Sequence, residues 1–321
     1  MAERATTLDP RFRGDDGFVA RAVIPAKAGI QLNAVIPAEA GIQRLSRTFR
    51  PQRRLPVQRV QTLKGTGMPP RLALLAFMLA LPLAAHAQES RLDAVQKSGV
   101  LRVCTPGDYK PFSIAKPDGS FEGIDVDFAN AIAKGLGART EFVKTSWPKL
   151  MDDFIGKCDI AVGGISVSLD RQKRAFFTDP YMVNGKAAIT RCGDVAKFQT
   201  VADIDKPGVT VIENPGGSNE RYARATFKQA KIVMFDDNTT IFDEILKGRA
   251  DVMISESVEA KVQQKLRPGL CAVNPDKPLQ YGEMAYLLPR GDVAFKAWVD
   301  QWLHLARENG DYDRTLAAWI K

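Results

Sequence analysis

From Gln88 onward the sequence predicts an α/β protein built as two doubly wound lobes with a ligand cleft between them. Short β-branched runs alternate with amphipathic helical patterns, as in parallel sheets covered by helices. The alternation begins a second time near Ala187, and a late return strand leads back to the first set. Lobe 1 is expected to take residues 88–186 and 286–321, and lobe 2 residues 187–285. Two such lobes gather the carboxyl ends of their strands at the cleft, where α/β proteins bind ligands.

In chain order, "GVLRVC" reads as the first strand. After Gly123, Ile124, Phe128, Ile132 and Leu136 recur at helical spacing, with acids at the N-terminal end and Gly135 and Gly137 at the close. "RTEFVKT", "WPKLMDDFIGK" and "CDIAVGG" supply strand, helix and strand. The second lobe opens with "AAITRC" and runs through "GVTVIEN", the helical "NERYARATFKQA", "KIVMFD", "TIFDEILKGRA" and "DVMISE" to the return strand "MAYLLPR". A final helix should bury Phe295, Trp298, Val299, Trp302 and Leu305 on one face, and "YDRTLAAWI" ends the chain.

The formal charge of +8 comes from the beginning of the chain, since residues 1–67 hold 12 Lys or Arg against 5 Asp or Glu. Beyond residue 87 the two signs balance at 32 each, so no basic footprint for nucleic acid remains. Residues 68–87, "MPPRLALLAFMLALPLAAHA", have the short basic start, apolar stretch and small-residue end of a signal peptide cleaved after Ala87. Leu72 to Ala85 is too short to span a membrane, so no stable membrane anchor is expected and the mature chain should be periplasmic. Residues 1–67 contain the duplication "VIPAKAGIQ" and "VIPAEAGIQ" and lack apolar periodicity, and read as a mis-started extension before Met68.

Export permits disulfides among the four cysteines. Cys192 with Cys271 is the expected pair. Cys104 and Cys158 are expected to be free thiols, because, as strands of one parallel sheet, their two runs put them at opposite ends; four free, packed cysteines is the alternative. Past residue 87 the only histidine is His304, on the last helix, so a Ser/His triad or a His-rich metal site lacks its parts. No phosphate-binding or dinucleotide motif appears.

The strings "LRVCTPGDYKPFS", "FEGIDVDFANAIAK", "CDIAVGGISVSLDRQKRAFFTDPY" and "GVTVIENPGGSNE" resemble the type II periplasmic solute-binding proteins, amino-acid-binding family 3. The resemblance covers essentially all of residues 90–320. "GDYKPFS", "TSWPKLMDDF", "NPGGSNE" with "YAR", "NTTIF" and "QWLHLA" look like one branch of it, the cyclohexadienyl dehydratases, which convert prephenate to phenylpyruvate and arogenate to phenylalanine. That likeness implies a carbon–oxygen lyase with no metal and no cofactor, a small-molecule substrate as its partner, and a monomer or weak homo-oligomer. The alternative it leaves is a receptor that hands an amino acid to an ABC importer.

The resemblance also implies roles. Arg171 matches the arginine that grips the ligand's carboxylate, for which a guanidinium fork suits; without its context it would read as a surface arginine beside Lys173 and Arg174. Ser166, in the flanking "GGIS", joins it as a substrate-binding residue. Asp108 and Tyr109 follow the first strand and Trp147 the second, so the aromatics either face the substrate ring or pack in the core. Asn214 turns its amide to substrate, and Gly217 lets backbone N–H groups approach an anion. Glu220 reads as a first-turn acid. Lys186 would face a second substrate carboxylate or be a solvated hinge residue. Glu256 and Glu259 are three apart, which would set them on one helix face. Glu256 matches the acid that receptors use for the ligand's ammonium, and Glu259 matches the catalytic glutamate of the dehydratases. Spacing alone favours two solvated carboxylates beside Lys261 and Lys265.

Overall fold

A computed structural model describes residues 89–320. The extension 1–67 and the signal segment 68–87 lie outside the described residues. The described chain contains α1 (Arg91–Ser98), β1 (Val100–Thr105), β2 (Asp108–Tyr109), β3 (Ser113–Ala115), β4 (Phe121–Glu122), α2 (Ile124–Gly135), β5 (Arg139–Lys144), α3 (Leu150–Lys157), β6 (Ile160–Ala161), α4 (Leu169–Gln172) and β7 (Ala175–Phe177). There follow β8 (Met182–Arg191), α5 (Val201–Ile204), β9 (Thr210–Glu213), α6 (Ser218–Thr226), β10 (Lys231–Met234), α7 (Ile241–Leu246), β11 (Val252–Glu256), α8 (Ser257–Leu266), β12 (Leu270–Val273), β13 (Gln280–Met284), β14 (Leu287–Pro289), α9 (Val293–Glu308) and α10 (Asp311–Trp319).

One sheet has the order β5-β1-β6-β14-β7, with β1 parallel to both β5 and β6. The other runs β10-β9-β11-β8-β12, with β13 also on β8. In it β9 is parallel to β10 and β11, while β8 runs antiparallel to β11, β12 and β13. The sheets are therefore mixed, because the returning strands β8 and β14 join each sheet in the opposite sense. The first sheet is packed on both faces: Leu101 and Val103 of β1 enter one core cluster with α2 and α9, and Cys104 enters the other with α3. Two crossovers join the sheets. One passes through Tyr181 into β8, and the other through Ala285 and Tyr286 between β13 and β14.

Three features differ from the sequence expectation. Helix α1, capped by the Ser90 hydroxyl that accepts from Leu92 N at 3.1 Å, and the small β2–β4 sheet lacked an apolar period long enough to be read. On α9 the buried residues are Phe295, Val299, Leu303 and Ala306, whereas Leu305 is half exposed. Steps of four residues keep Phe295, Val299 and Leu303 on one face, and Leu305 falls on another.

The third correction concerns the cysteines. Cys104 and Cys158 are not free: they form a disulfide with Cα atoms 5.7 Å apart. The strand begins only at Ile160, so Cys158 belongs to the end of α3, which lies across the sheet face toward which Cys104 points. Leu150 and Phe154 of that helix pack in the same cluster as both cysteines. A second disulfide joins Cys192, just past β8, to Cys271 on the neighbouring β12, with Cα atoms 4.8 Å apart.

Replacing Cys104 and Cys158 together by Ala should lower the unfolding free energy by about 2–4 kcal/mol, since a loop of 54 residues is released in the unfolded chain. Urea unfolding of the oxidised protein measures this. Non-reducing peptide mapping that found either cysteine alkylated in the parent protein would contradict the pairing.

Candidate functional site

The carboxyl ends of the parallel strands converge on one cleft. Beyond β1 come Asp108 and Tyr109, beyond β5 comes Trp147, and beyond β6 the turn Gly163 to Ser166. From the other sheet, β9 ends at Glu213 before Asn214 and Gly217, and β11 ends at Glu256. Tyr109, Trp147, Gly164, Ser166, Asn214 and Glu256 line a narrow cavity, together with Gly217, Ser218, Asn219 and Asn238. The lobes stand in contact there. Gly216 has φ +83°, and a Cβ on it would lie 2.5 Å from Pro148; Asn238 Nδ2 donates to the Asp108 carbonyl at 3.2 Å.

The Gly163–Ser166 turn is held from below by Asp125, in the first turn of α2. Its carboxylate accepts from Gly163 N at 2.8 Å, Gly164 N at 2.6 Å, Tyr181 Oη at 2.9 Å and Tyr286 Oη at 3.0 Å. Burial outweighs these four donors and pushes the carboxyl up to about 6. Tyr181 and Tyr286 belong to the two crossovers, so one side chain ties both of them to the turn that carries Ser166.

Ser166 reaches across the cleft. Its hydroxyl donates to Glu256 Oε1 at 2.7 Å and lies 2.9 Å from the Ser218 hydroxyl. Lys186 Nζ, on β8, donates to the same Glu256 oxygen at 2.5 Å, to Ser218 Oγ at 2.8 Å and to Asn219 Oδ1 at 2.6 Å. Lys186 and Glu256 are both buried and form an ion pair, so neither is a solvated residue. Arg171 differs. It is 6% exposed, its Nη1 donates to the Ser166 carbonyl at 2.8 Å, and among the described residues no carboxylate pairs with it. Burial and then the facing Arg221 pull it down to about 10, which still leaves it charged at neutral pH. A buried cation whose remaining donors are unspent is an anion-binding group.

Glu259 stands in the first turn of α8 and is 1% exposed. Its Oε2 accepts from Ser255 Oγ, and its Oε1 accepts from Gln263 Nε2 at 3.5 Å. Burial is the main cause that pushes it up to about 8, with Asp108 and Glu256 adding repulsion against the two donors. Glu256 itself ends β11, so the two acids are not a pair on one helix face. Asp108 accepts from Trp147 Nε1 at 3.0 Å and is raised by burial to about 6.

Of the residues expected at the site, Tyr109, Trp147, Ser166, Asn214, Gly217 and Glu256 form its wall. Lys186 joins them through Glu256, Arg171 through Ser166 and Asp108 through Trp147. Asn214 spends its amide donors on the carbonyls of Phe235 and Asp236 at 3.2 and 2.8 Å, which leaves only its Oδ1 for a ligand. Glu220 accepts from Gly216 N at 2.6 Å and from Arg224 at 2.7 Å, and shapes the turn. Sequence reasoning missed Ser218, Asn219 and Asn238 as wall residues and Asp125 as the support. It also missed Glu213, fully buried with Oε1 accepting from Ile254 N at 3.0 Å. The prior signals were that Ser218 and Asn219 fall within the quoted "NPGGSNE" and that Asn238 begins the quoted "NTTIF". Among the described residues no group of three or more His, Cys, Asp or Glu stands where it could hold a metal ion, and no helix is long and apolar enough to cross a membrane.

This is the fold and cleft of a solute-binding protein, and residues 101–321 match the family described as bacterial extracellular solute-binding proteins, family 3, to which the chain belongs. Over 251 residues it is 51% identical to a cyclohexadienyl dehydratase of Pseudomonas aeruginosa, spanning 78% of this chain and 92% of that protein. It is 27% identical over 186 residues to the L-cystine-binding protein of Escherichia coli, spanning 58% and 69% of the two chains. Among solved structures, an ancestral amino acid-binding protein described as a precursor of cyclohexadienyl dehydratase shares 34% of its residues. It superposes with a TM-score of 0.67 over 72% of this chain and 100% of its own.

Replacing Asp125 by Ala strips partners from two tyrosine hydroxyls and two amides, and should cost about 3 kcal/mol or more of stability by urea unfolding. A change below about 1 kcal/mol would show that these groups are satisfied without it. Glu259 releases its proton near 4.5 when unfolded and near 8 when folded, so between those values the native state binds the extra proton and stability falls as pH rises. Glu259→Gln removes that loss. The variant should gain on the parent protein from pH 5 to pH 8, and an unchanged difference would mean that Glu259 is already ionised at pH 5.

Proposed function

We propose that this chain is a cyclohexadienyl dehydratase, a carbon–oxygen lyase that takes prephenate to phenylpyruvate and arogenate to phenylalanine in the periplasm. The observation that carries the reading is Glu259, a buried carboxyl kept protonated at neutral pH. It is not itself on the wall of the aromatic-lined cavity but interacts with Tyr109 and Glu256, which are, while the unspent Arg171 guanidinium holds the carbonyl of the wall residue Ser166. The identity of 51% to a dehydratase supports it. The extracellular family and the signal-like segment 68–87 support the location.

In this reading Arg171 anchors the side-chain carboxylate of the substrate, and Tyr109 and Trp147 flank its ring. Trp147 is kept in place by Asp108. Ser166, Asn214 and Gly217 present polar groups along the wall. Lys186 neutralises Glu256, so a substrate carboxylate meets no net negative wall.

Glu259 protonates the ring hydroxyl as the carbon–oxygen bond breaks, and the oxygen leaves as water. The bond to the ring carboxylate breaks in turn, its electron pair completes the aromatic ring, and carbon dioxide departs. Prephenate, a dianion, plus one proton thus gives the phenylpyruvate anion, carbon dioxide and water. Each turnover consumes one proton, which solvent returns to Glu259. Aromatisation supplies the driving force, and no metal or organic cofactor is needed to accept electrons.

A receptor would use Glu256 for the ligand's ammonium, but Lys186 already occupies that carboxylate at 2.5 Å. The enzyme reading also explains the neutral Glu259, for which a receptor has no use.

The test is phenylpyruvate formation from prephenate, followed by absorbance with a blank for acid-catalysed decay. Glu259→Gln should lower kcat by about 10²–10⁴-fold. Arg171→Ala should raise KM by about 10²-fold, and Arg171→Lys should recover only part of that, since the charge stays and the fork is lost. Absence of turnover in the parent protein, with a thermal shift on adding an amino acid, would leave a receptor instead.

A further inference from the structure

Resting on the dehydratase reading, we infer that the phenolic hydroxyl of Tyr109 is a second polar contact for the leaving oxygen, donating a hydrogen bond to it while Glu259 delivers the proton. The starting point is an orphaned group. Tyr109 is 3% exposed and lines the cavity, yet its hydroxyl has no hydrogen-bond partner among the described residues. Among the described residues it shares that state with one other buried side-chain oxygen, Glu213 Oε2, and Glu213 is fully enclosed away from the cavity wall. Buried hydroxyls are bonded almost without exception. A buried hydroxyl left unpartnered on a residue that lines the ligand cavity is suited to a group on the ligand.

The ring is locked in place. Phe112 stacks on it with centroids 5.2 Å apart, and Trp147 meets it edge-on at 5.7 Å. On the third side is Gly164, at φ +69°, where a Cβ would lie 2.5 Å from Cδ1 and Cε1 of Tyr109. The turn held by Asp125 therefore presents a bare backbone against this ring, and the hydroxyl cannot swing away to find water without moving that turn.

The surroundings also fix what the hydroxyl does. Burial, with the nearby carboxyls of Glu259 and Glu256, raises the phenol well above its usual value. It stays protonated and acts as a donor. Ser255 is the polar neighbour that holds this rise down, but the pair falls short of a full hydrogen bond. Of the two protonated groups Glu259 is the stronger acid, so the transferred proton is the carboxyl's. The substrate atom that gains negative charge is the ring hydroxyl oxygen, as it departs with the pair of the broken carbon–oxygen bond. A fixed donor aimed at that oxygen strengthens as the charge develops and lowers the barrier. No proton leaves Tyr109, and the stoichiometry of the reaction is unchanged.

Tyr109→Phe keeps the ring and its stacking and removes only the oxygen. With prephenate as substrate, kcat should fall by about 10- to 100-fold with KM within about twofold of the parent. The inhibition constant of phenylpyruvate, which lacks the leaving hydroxyl, should not change. The melting temperature of the ligand-free variant should not drop, since no protein partner is lost. An unaltered kcat would overturn the assignment. So would a parallel loss of phenylpyruvate affinity, which would make the hydroxyl a general ring contact, or a lowered melting temperature, which would show a partner within the protein. If the parent protein itself fails to turn prephenate over, the dehydratase reading falls with this one. Failure of the inference alone is distinct, because parent and variant then turn over equally.

Discussion

The geometry of the cleft hangs on a charge placed where charges are hardest to keep. Asp125 lies inside the first lobe with no exposed surface, and four donors from three stretches of chain converge on it. Two are backbone amides of the turn after β6, and two are tyrosine hydroxyls from the crossovers between sheets. Removing a carboxylate from water is costly enough that only such a full set of donors makes the arrangement tolerable. The same set leaves the turn little freedom. Ser166 and the backbone carbonyl that receives Arg171 stand where they do because this node fixes the glycines two and three residues earlier.

Above that node the charges are sorted by whether they find a partner inside the protein. Lys186 and Glu256 satisfy each other and draw Ser166, Ser218 and Asn219 into one network that spans the cleft. Arg171 is given only a carbonyl, and Glu259 is given a hydroxyl and a weakly placed amide in place of a cation. A paired acid stays ionised, while an unpaired one in the same volume keeps its proton. Two glutamates three residues apart thereby have opposite surroundings, Glu256 beside the Lys186 ammonium and Glu259 in a site where burial raises its carboxyl to about 8.

Much of this was legible in the chain. Helix α2 and the strand before it followed from spacing and from acids at the helix start, and the gathering of "GDY", "TSW", "GGIS" and "NPGG" at one edge followed from strands that run the same way. The failures have a common cause. Cys158 was placed in a strand because "CDIAVGG" has strand composition, but only Ile160 and Ala161 pair, and the helix before them carries the cysteine over the sheet face. Glu256 was read as helical for the same reason, since a boundary between strand and helix leaves no mark on spacing three residues long. Asp125 looked like an ordinary first-turn acid favoured by the helix dipole. Its role rests on Tyr181 and Tyr286, which lie 56 and 161 residues away.

The placement of the two disulfides has a mechanical meaning. Cys104 and Cys158 fasten a helix to the first sheet, and Cys192 and Cys271 fasten two neighbouring strands of the second. Neither bridge runs from one sheet to the other. Oxidation therefore stiffens each half as a separate rigid body and leaves their relative rotation unrestrained by any sulfur bond. The described chain passes from one half to the other only along the backbone on either side of Tyr181 and Tyr286.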